Sequence, residues 1–240
     1  EKNFDISLDL QSIAKSAIVA GLSGAKKRYA YWELREGSWL VNTALVGDHK
    51  MDHVIERYLD TARALGCDVD DIAFPLPTFT EAETAVTQKL NARGAFIENP
   101  YIVMAPGARW AVKEWPVELG KRLVAAGETV VLIGAKEDVD KGRAIVDGVG
   151  SNNVVNLIGD TNLKELIEVI RHSALYISAD TGPLHIANAL KRPLIALFGT
   201  TSPKRTGPYG GSHVHLIISP TSKATPEQPL VDDPDCMAQI

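Results

Sequence analysis

Ala174-Leu-Tyr-Ile-Ser178-Ala-Asp-Thr-Gly-Pro-Leu-His185 is the stretch that decides the fold. The apolar run Ala174–Ile177 reads as a strand, and the residues behind it read as a tight turn with a helix starting at once. Thr181 suits an N-cap, and Pro183 falls in the first helical turn, where its missing N–H costs nothing. Such a junction leaves backbone N–H groups and the positive end of the helix dipole facing the space beyond the strand's C-terminal end. In an open α/β sheet that space is where ligands bind. The turn therefore predicts an anion site, most simply for a phosphate, with Asp180, Thr181, Gly182 and His185 around it. The competing reading makes Asp180 and Thr181 plain helix caps and packs His185 on the sheet.

Working outward, the same strand–helix alternation repeats. Strands are predicted at Tyr101–Ala105, Thr129–Ile133, Val154–Leu157, Leu175–Ser178 and Leu194–Phe198, with a further one at Val214–Ile218. Helices between them are predicted at Pro116–Ala126, Asp138–Val146, Leu163–His172 and Pro183–Leu190. Regular βα alternation implies a parallel sheet with helices on both faces. The first part is less regular. It offers strands at Phe4–Leu10 and Lys26–Trp32 and helices at Ser12–Leu22, His53–Leu65 and Glu81–Arg93. The spacing of Val54, Ile55, Tyr58, Leu59, Ala62 and Leu65 is helical. Two domains follow, residues 1–95 and 96–240, with the boundary near Arg93–Pro100.

Composition narrows the function classes. A chain of 240 residues with 45% hydrophobic content can bury one large core or two small ones, and its net charge of −5 disfavours a nucleic-acid binder. No apolar run approaches the roughly 18 residues of a bilayer span. Cys67 and Cys236 are too few and too far apart for a disulfide framework or metal cluster, so a cytoplasmic setting is the default. The opening Glu1-Lys-Asn3 carries no initiator Met, and Phe4–Leu10 already looks like an interior strand, so the chain reads as a fragment.

Other motifs carry chemistry. Ala105-Pro-Gly-Ala-Arg109, then Lys113-Glu-Trp-Pro116, again follows a buried-looking strand. Pro106 and Gly107 shape that loop, while Arg109 and Lys113 suit a departing diphosphate. Trp115 either walls the pocket or serves as a hydrophobic staple. In Gly134-Ala-Lys-Glu-Asp138, carboxylates can hold ribose or base hydroxyls, but charges favoured at a helix N-terminus explain them as well. Phe198-Gly-Thr-Thr-Ser-Pro203 and Arg205-Thr-Gly-Pro-Tyr-Gly210 are hydroxyl- and glycine-rich loops at strand ends. In the first part, Arg35 and Arg57 are candidate anion contacts, and Asp9 either faces a ligand or caps the next helix. No Gly-x-Gly-x-x-Gly follows a strand, which argues against a nicotinamide dehydrogenase. No Asp-x-Asp pair stands at a strand end, so neither metal nor cofactor is expected.

Together, Ser178–His185, Pro193–Gly199, Arg205–Gly210, Pro106–Ala108 and Lys113–Pro116 resemble the ADP-heptose:lipopolysaccharide heptosyltransferases of glycosyltransferase family 9. Phe4–Ser12 and the segments around Arg35 and Arg57 resemble the helices of that family's acceptor domain. The resemblance implies an α/β, GT-B-like enzyme of two Rossmann-like domains with parallel sheets, the N-terminal one incomplete in this chain. It implies inverting transfer of heptose from ADP-heptose to the Kdo or heptose of the lipopolysaccharide inner core. Lys113, Asp180, Thr181, Gly182, His185, Pro106, Gly107 and Arg109 would then bind the donor, and Arg35, Arg57 and Asp9 the acceptor. A lipid-linked acceptor implies peripheral contact with the inner membrane from the cytoplasmic side. The family's first strand and its Gly-Asp loop, with the presumed base, are expected upstream of Glu1. The alternative is a non-catalytic nucleotide- or sugar-binding module lacking that base.

Overall fold

The computed structural model describes residues 4–149, 153–233 and 235–240. It divides into two units, Glu1–Ile72 and Ala73–Ile240. The first holds β1 (Ile6–Asp9), α1 (Ala14–Leu22), β2 (Lys27–Tyr31), β3 (Thr43–Leu45) and α2 (Val54–Ala64). Its strands form a parallel sheet in the order β1-β2-β3, with Ile6 opposite Lys27 and Tyr29 opposite Thr43. Ala17 and Ala20 of α1 are buried, and their small side chains keep that helix close to its neighbours.

The second unit contains α3 (Thr80–Asn91), β4 (Ile102–Ala105), α4 (Val117–Ala125), β5 (Val130–Leu132), α5 (Val139–Val149), β6 (Val154–Asn156), α6 (Leu163–Arg171), β7 (Leu175–Ala179), α7 (Gly182–Ala189), β8 (Leu194–Phe198), α8 (Pro203–Thr206) and β9 (Val214–Ile218). All six strands are parallel, in the order β6-β5-β4-β7-β8-β9. Counted within the unit this is 3-2-1-4-5-6, the Rossmann order, whose direction reverses between β4 and β7.

Alternation along the strands builds two cores. Val103, Val131 and Tyr176 face one side, with Val86 and Leu90 of α3, Val169 and Ile170 of α6 and Leu184 of α7. Met104, Leu132 and Ile177 face the other, with Val124 of α4 and Ile145 of α5. Burial on both faces explains why these strands read as unbroken apolar runs. Helix α6 begins at a reciprocal cap: Glu165 N–H donates to Asn162 Oδ1 at 3.0 Å, and Asn162 N–H donates to Glu165 Oε2 at 2.9 Å.

The unit boundary differs from the sequence expectation at Arg93–Pro100. Helix α3 belongs to the second unit because Val86 and Leu90 are fully buried there. The fully buried Glu168 of α6 fixes its start, accepting from Phe79 N–H at 2.9 Å and from Arg171 Nε at 2.9 Å. Lys89 and Arg93 also pair with Asp160, and Lys89 with Glu165.

Candidate functional site

Where the strand order reverses, the connections leaving β4 and β7 diverge and open a crevice at the carboxyl ends of both strands. The topology places the two motif loops there: Ala105–Lys113 follows β4, and Asp180-Thr-Gly182 follows β7. A pocket of about 400 Å³ lies between them, lined among others by Gly107, Arg109, Asp138, Asn162, Thr181 and Gly182. A larger hollow of about 530 Å³ runs beside β1 and α1 in the first unit. Within the second unit the smaller pocket sits at the topological switch point, and it is the candidate site.

Trp115 anchors the β4 loop. Its ring is 2% exposed in the core, and its Nε1 donates to Ala105 O at 2.9 Å. It is therefore a staple and not a pocket wall. Just before it a short helical turn, Ala111–Lys113, carries Lys113 toward β7. Lys113 Nζ donates to Asp180 Oδ2 at 2.8 Å and stands 5.0 Å from the centre of the half-exposed Trp110 ring. Only 9% of the Asp180 side chain and 17% of the Lys113 side chain are exposed. Thr206 Oγ1, at the end of α8, donates to the same carboxylate oxygen at 3.5 Å, and His185 Nε2 is 3.9 Å from the other. Asp180 thus holds a cation, a hydroxyl and an imidazole at one end of the crevice. His185 is exposed and does not pack on the sheet, which removes that part of the competing reading.

Thr181 is the N-cap of α7, but its side chain makes no capping bond, and Pro183 offers no N–H. The N–H groups of Thr181 and Gly182 remain for a ligand. A side chain at Gly182 would meet nothing within 4 Å, so the approach to its backbone is open. Pro106 and Gly107 are buried beneath the pocket, and Arg109 is exposed at its edge.

Asp138 is the residue whose weight changes most. It caps its own turn, since Ala135 N–H donates to Oδ2 at 2.9 Å, and it also lines the pocket. Oδ1 lies against Gly107, where any Cβ would overlap the carboxylate. At the end of the second strand of a Rossmann unit, a carboxylate in this position suits ribose hydroxyls. One side chain both caps the turn and faces the pocket, so the capping reading does not exclude a ligand-facing one. Asn162, missed as a pocket residue, was hidden by its recognisable capping role.

The acceptor candidates lie in the first unit. Asp9 is 6% exposed and its carboxylate is fully engaged. Oδ1 accepts from Gln11 N–H at 3.0 Å and Ser12 N–H at 2.9 Å, while Oδ2 accepts from Ser16 Oγ at 2.9 Å and Asn42 Nδ2 at 3.1 Å. It ties β1 to α1, which favours the capping reading over a ligand contact. Arg57, on α2, is 3% exposed and pairs with Glu33 at 3.2 Å, its guanidinium 5.2 Å from the Tyr31 ring centre and 5.4 Å from that of Trp32. Arg35 sits in a loop and not a helix, exposed, with NH2 donating to Gln11 O at 3.5 Å.

A charged network unread in the sequence follows β3. Asp60 accepts from His49 N–H at 2.9 Å and pairs with the His49 ring at 2.6 Å and Arg63 at 3.0 Å. Burial pushes the Asp60 carboxyl up, but those hydrogen bonds and the His49 charge outweigh it and hold it below the usual aspartate range.

Comparison with known proteins now bears on this geometry. The model of glycosyltransferase family 9 (heptosyltransferase) matches residues 1–233. The chain belongs to glycosyltransferase family 9. Lipopolysaccharide heptosyltransferase 2 of Escherichia coli K12 is 32% identical to it over 232 residues, 91% of this chain and 66% of that protein. Lipooligosaccharide heptosyltransferase 2 of Haemophilus influenzae is 31% identical, over 86% of this chain and 64% of its own length. The family 9 chain thus spans about two thirds of the length of these relatives. Among solved structures, E. coli ADP-heptose lps heptosyltransferase II superposes with a TM-score of 0.72 at 28% identity, covering 93% of this chain and 73% of that one. A family 9 glycosyl transferase from Veillonella parvula reaches a TM-score of 0.77 at 20% identity, over 89% and 62%, and so shares the fold. Two Rossmann-like units with parallel sheets give the family 9 chain its GT-B-like class. Among the described residues no helix is long and apolar enough to cross a membrane.

Proposed function

We propose that this chain carries the donor site of an inverting glycosyltransferase that moves heptose from ADP-heptose to the inner core of lipopolysaccharide. The observation that carries the proposal is the convergence of Lys113 and Asp180 on the β4–β7 switch point of a family 9 chain. The names of the relatives, which are lipopolysaccharide and lipooligosaccharide heptosyltransferases, support the sugar and the acceptor class. The nucleoside occupies the pocket with its ribose on Asp138. The diphosphate lies on the Thr181 and Gly182 N–H groups, at the N-terminus of α7, with Lys113 and Arg109 beside it. His185 and Asp180 face the sugar end.

Transfer is a single displacement. An acceptor hydroxyl oxygen bonds to the anomeric carbon as the carbon–oxygen bond to ADP breaks, and the hydroxyl proton passes to a base. No residue of this chain is assigned as that base. Negative charge gathers on the diphosphate, where Lys113 and the free N–H groups stabilise it, a task that other transferases give to a metal ion. The exposed Arg35 is assigned to the anionic acceptor; Arg57, buried and paired with Glu33, and Asp9, whose lone pairs are used, are left out. A lipid-linked acceptor places the enzyme at the membrane surface on its cytoplasmic side.

Calorimetric titration tests the donor site. The chain is expected to bind ADP, and Asp138→Ala to weaken ADP by roughly tenfold or more, the loss of a hydrogen bond to a charged group. Inorganic pyrophosphate should compete equally with both forms. Absence of ADP binding, or an unchanged affinity in Asp138→Ala, would overturn the assignment. Binding of ADP-heptose without turnover on an inner-core acceptor would instead favour the non-catalytic module.

A further inference from the structure

Lys113, Glu114 and Trp115 are consecutive, and each is held by a different element. Lys113 pairs with Asp180 after β7, the Glu114 carboxylate pairs with Lys141 Nζ on α5, and Trp115 is bound to Ala105 O in the core. The donor-site proposal makes no use of the Glu114–Lys141 pair, whose side chains are only partly exposed. Backbone bonds stiffen the turn before it. Lys113 N–H donates to Trp110 O at 2.9 Å, and Glu114 N–H donates to Ala111 O at 3.0 Å. Whatever holds Glu114 therefore also places Lys113. Lys141 stands three residues after Asp138, and the turn Lys136–Asp138 runs straight into α5. One element thus meets the β4 loop twice: Asp138 lies against Gly107 at the loop's start, and Lys141 grips Glu114 at its end. Between those points Arg109, Trp110 and Ala111 are exposed.

We infer that Lys141 is a positioning residue for the donor site: by holding Glu114 it fixes where the Ala111–Lys113 turn delivers the Lys113 ammonium. A lysine stem is long and flexible, so the place of its backbone sets how much freedom the ammonium loses on meeting a phosphate. With the turn held, only the side chain has to be ordered when a diphosphate arrives. A partly exposed ion pair adds little to the stability of a fold, so the bridge acts on binding more than on folding. The ribose carboxylate and the phosphate cation are then spaced by one element, the first turn of α5 and the turn before it. Lys141 itself touches no ligand. The inference rests on the proposal that a diphosphate binds beside Lys113.

Titration of ADP and of adenosine into wild type, Lys141→Met, Lys141→Arg and Glu114→Gln tests it. Lys141→Met should weaken ADP roughly fivefold, the size of effect expected of a residue that acts without touching the ligand. Lys141→Arg keeps the bridge and should keep the wild-type affinity. Glu114→Gln decides between positioning and plain electrostatics. It removes a negative charge beside a diphosphate, so charge alone predicts tighter ADP binding, whereas loss of the bridge predicts weaker binding, as in Lys141→Met. Adenosine affinity should be unchanged throughout. In a Lys113→Met background neither substitution should weaken ADP further, because the ammonium they place is gone. Unchanged or tighter ADP binding in Glu114→Gln, equal losses for ADP and adenosine, or a Lys141→Met loss that persists without Lys113 would each overturn the inference. If wild type binds ADP and Lys141→Met binds it equally, only the positioning role fails. If wild type binds no ADP, the donor-site proposal fails and takes this role with it.

Discussion

Replacing Lys113 by methionine removes the cation from a carboxylate that is only 9% exposed. Two unit charges about 4 Å apart, at an effective dielectric near 20, attract by about 4 kcal/mol. Desolvation of both groups offsets part of that gain, but the variant keeps the cost of burying Asp180 and loses the attraction. Removing one partner of a buried pair costs about 3–5 kcal/mol. Thr206 at 3.5 Å and the His185 ring at 3.9 Å remain to Asp180, and Lys113 keeps some solvent contact, so the expected cost lies at the lower end. The value we expect is about 3 kcal/mol. Adding Asp180→Asn removes the stranded charge while conserving volume, and the double variant should return to within about 1 kcal/mol of wild type. Urea denaturation followed by circular dichroism measures all four corners of this cycle. At typical slopes the single variant's midpoint falls by roughly 1 M or more. A midpoint for Lys113→Met matching wild type would show that the pair is not desolvated. A double variant as unstable as the sum of the singles would show no coupling between the two groups.

Gly107→Ala should cost about 1–3 kcal/mol by overpacking, because the new methyl overlaps the Asp138 carboxylate, and ADP affinity should fall with it. Calorimetry showing wild-type affinity would mean that Asp138 does not have to stay in place. For Asp60 the folded-state pKa lies below the unfolded one, so its contribution is present above the ordinary aspartate value and fades as pH falls through the folded value. Asp60→Asn should therefore destabilise the first unit by about 1–3 kcal/mol near neutrality. The gap from wild type should narrow below about pH 4. A gap that is constant across that range in urea titrations would remove Asp60 as the titrating group.

Much of the second unit was legible because its strands are covered on both faces. Val130–Leu132, Leu175–Ala179 and Leu194–Phe198 appear as apolar runs with turn residues at each end. Strand β3 was not legible. It has three residues, opens on the exposed Thr43, and buries too little to impose a period. The unit boundary falls before α3 and not after it because α3 looks polar on one face, while the Glu168 carboxylate that fixes its start lies far along the chain. Within the site, the turn after β7 and the loop after β4 each announced an anion contact. Their meeting at the Lys113–Asp180 pair depends on strand order, which no local pattern encodes.

The ammonium of Lys113 standing over Trp110 also gives this protein an optical signal of its own. A cation above an indole perturbs its emission, and Trp115, the other tryptophan of the second unit, is sealed in the core away from any ligand. If a diphosphate draws Lys113 away from Trp110, as the proposed donor site requires, the fluorescence of that half-exposed ring is expected to change with it. Donor occupancy could then be followed in real time without a label.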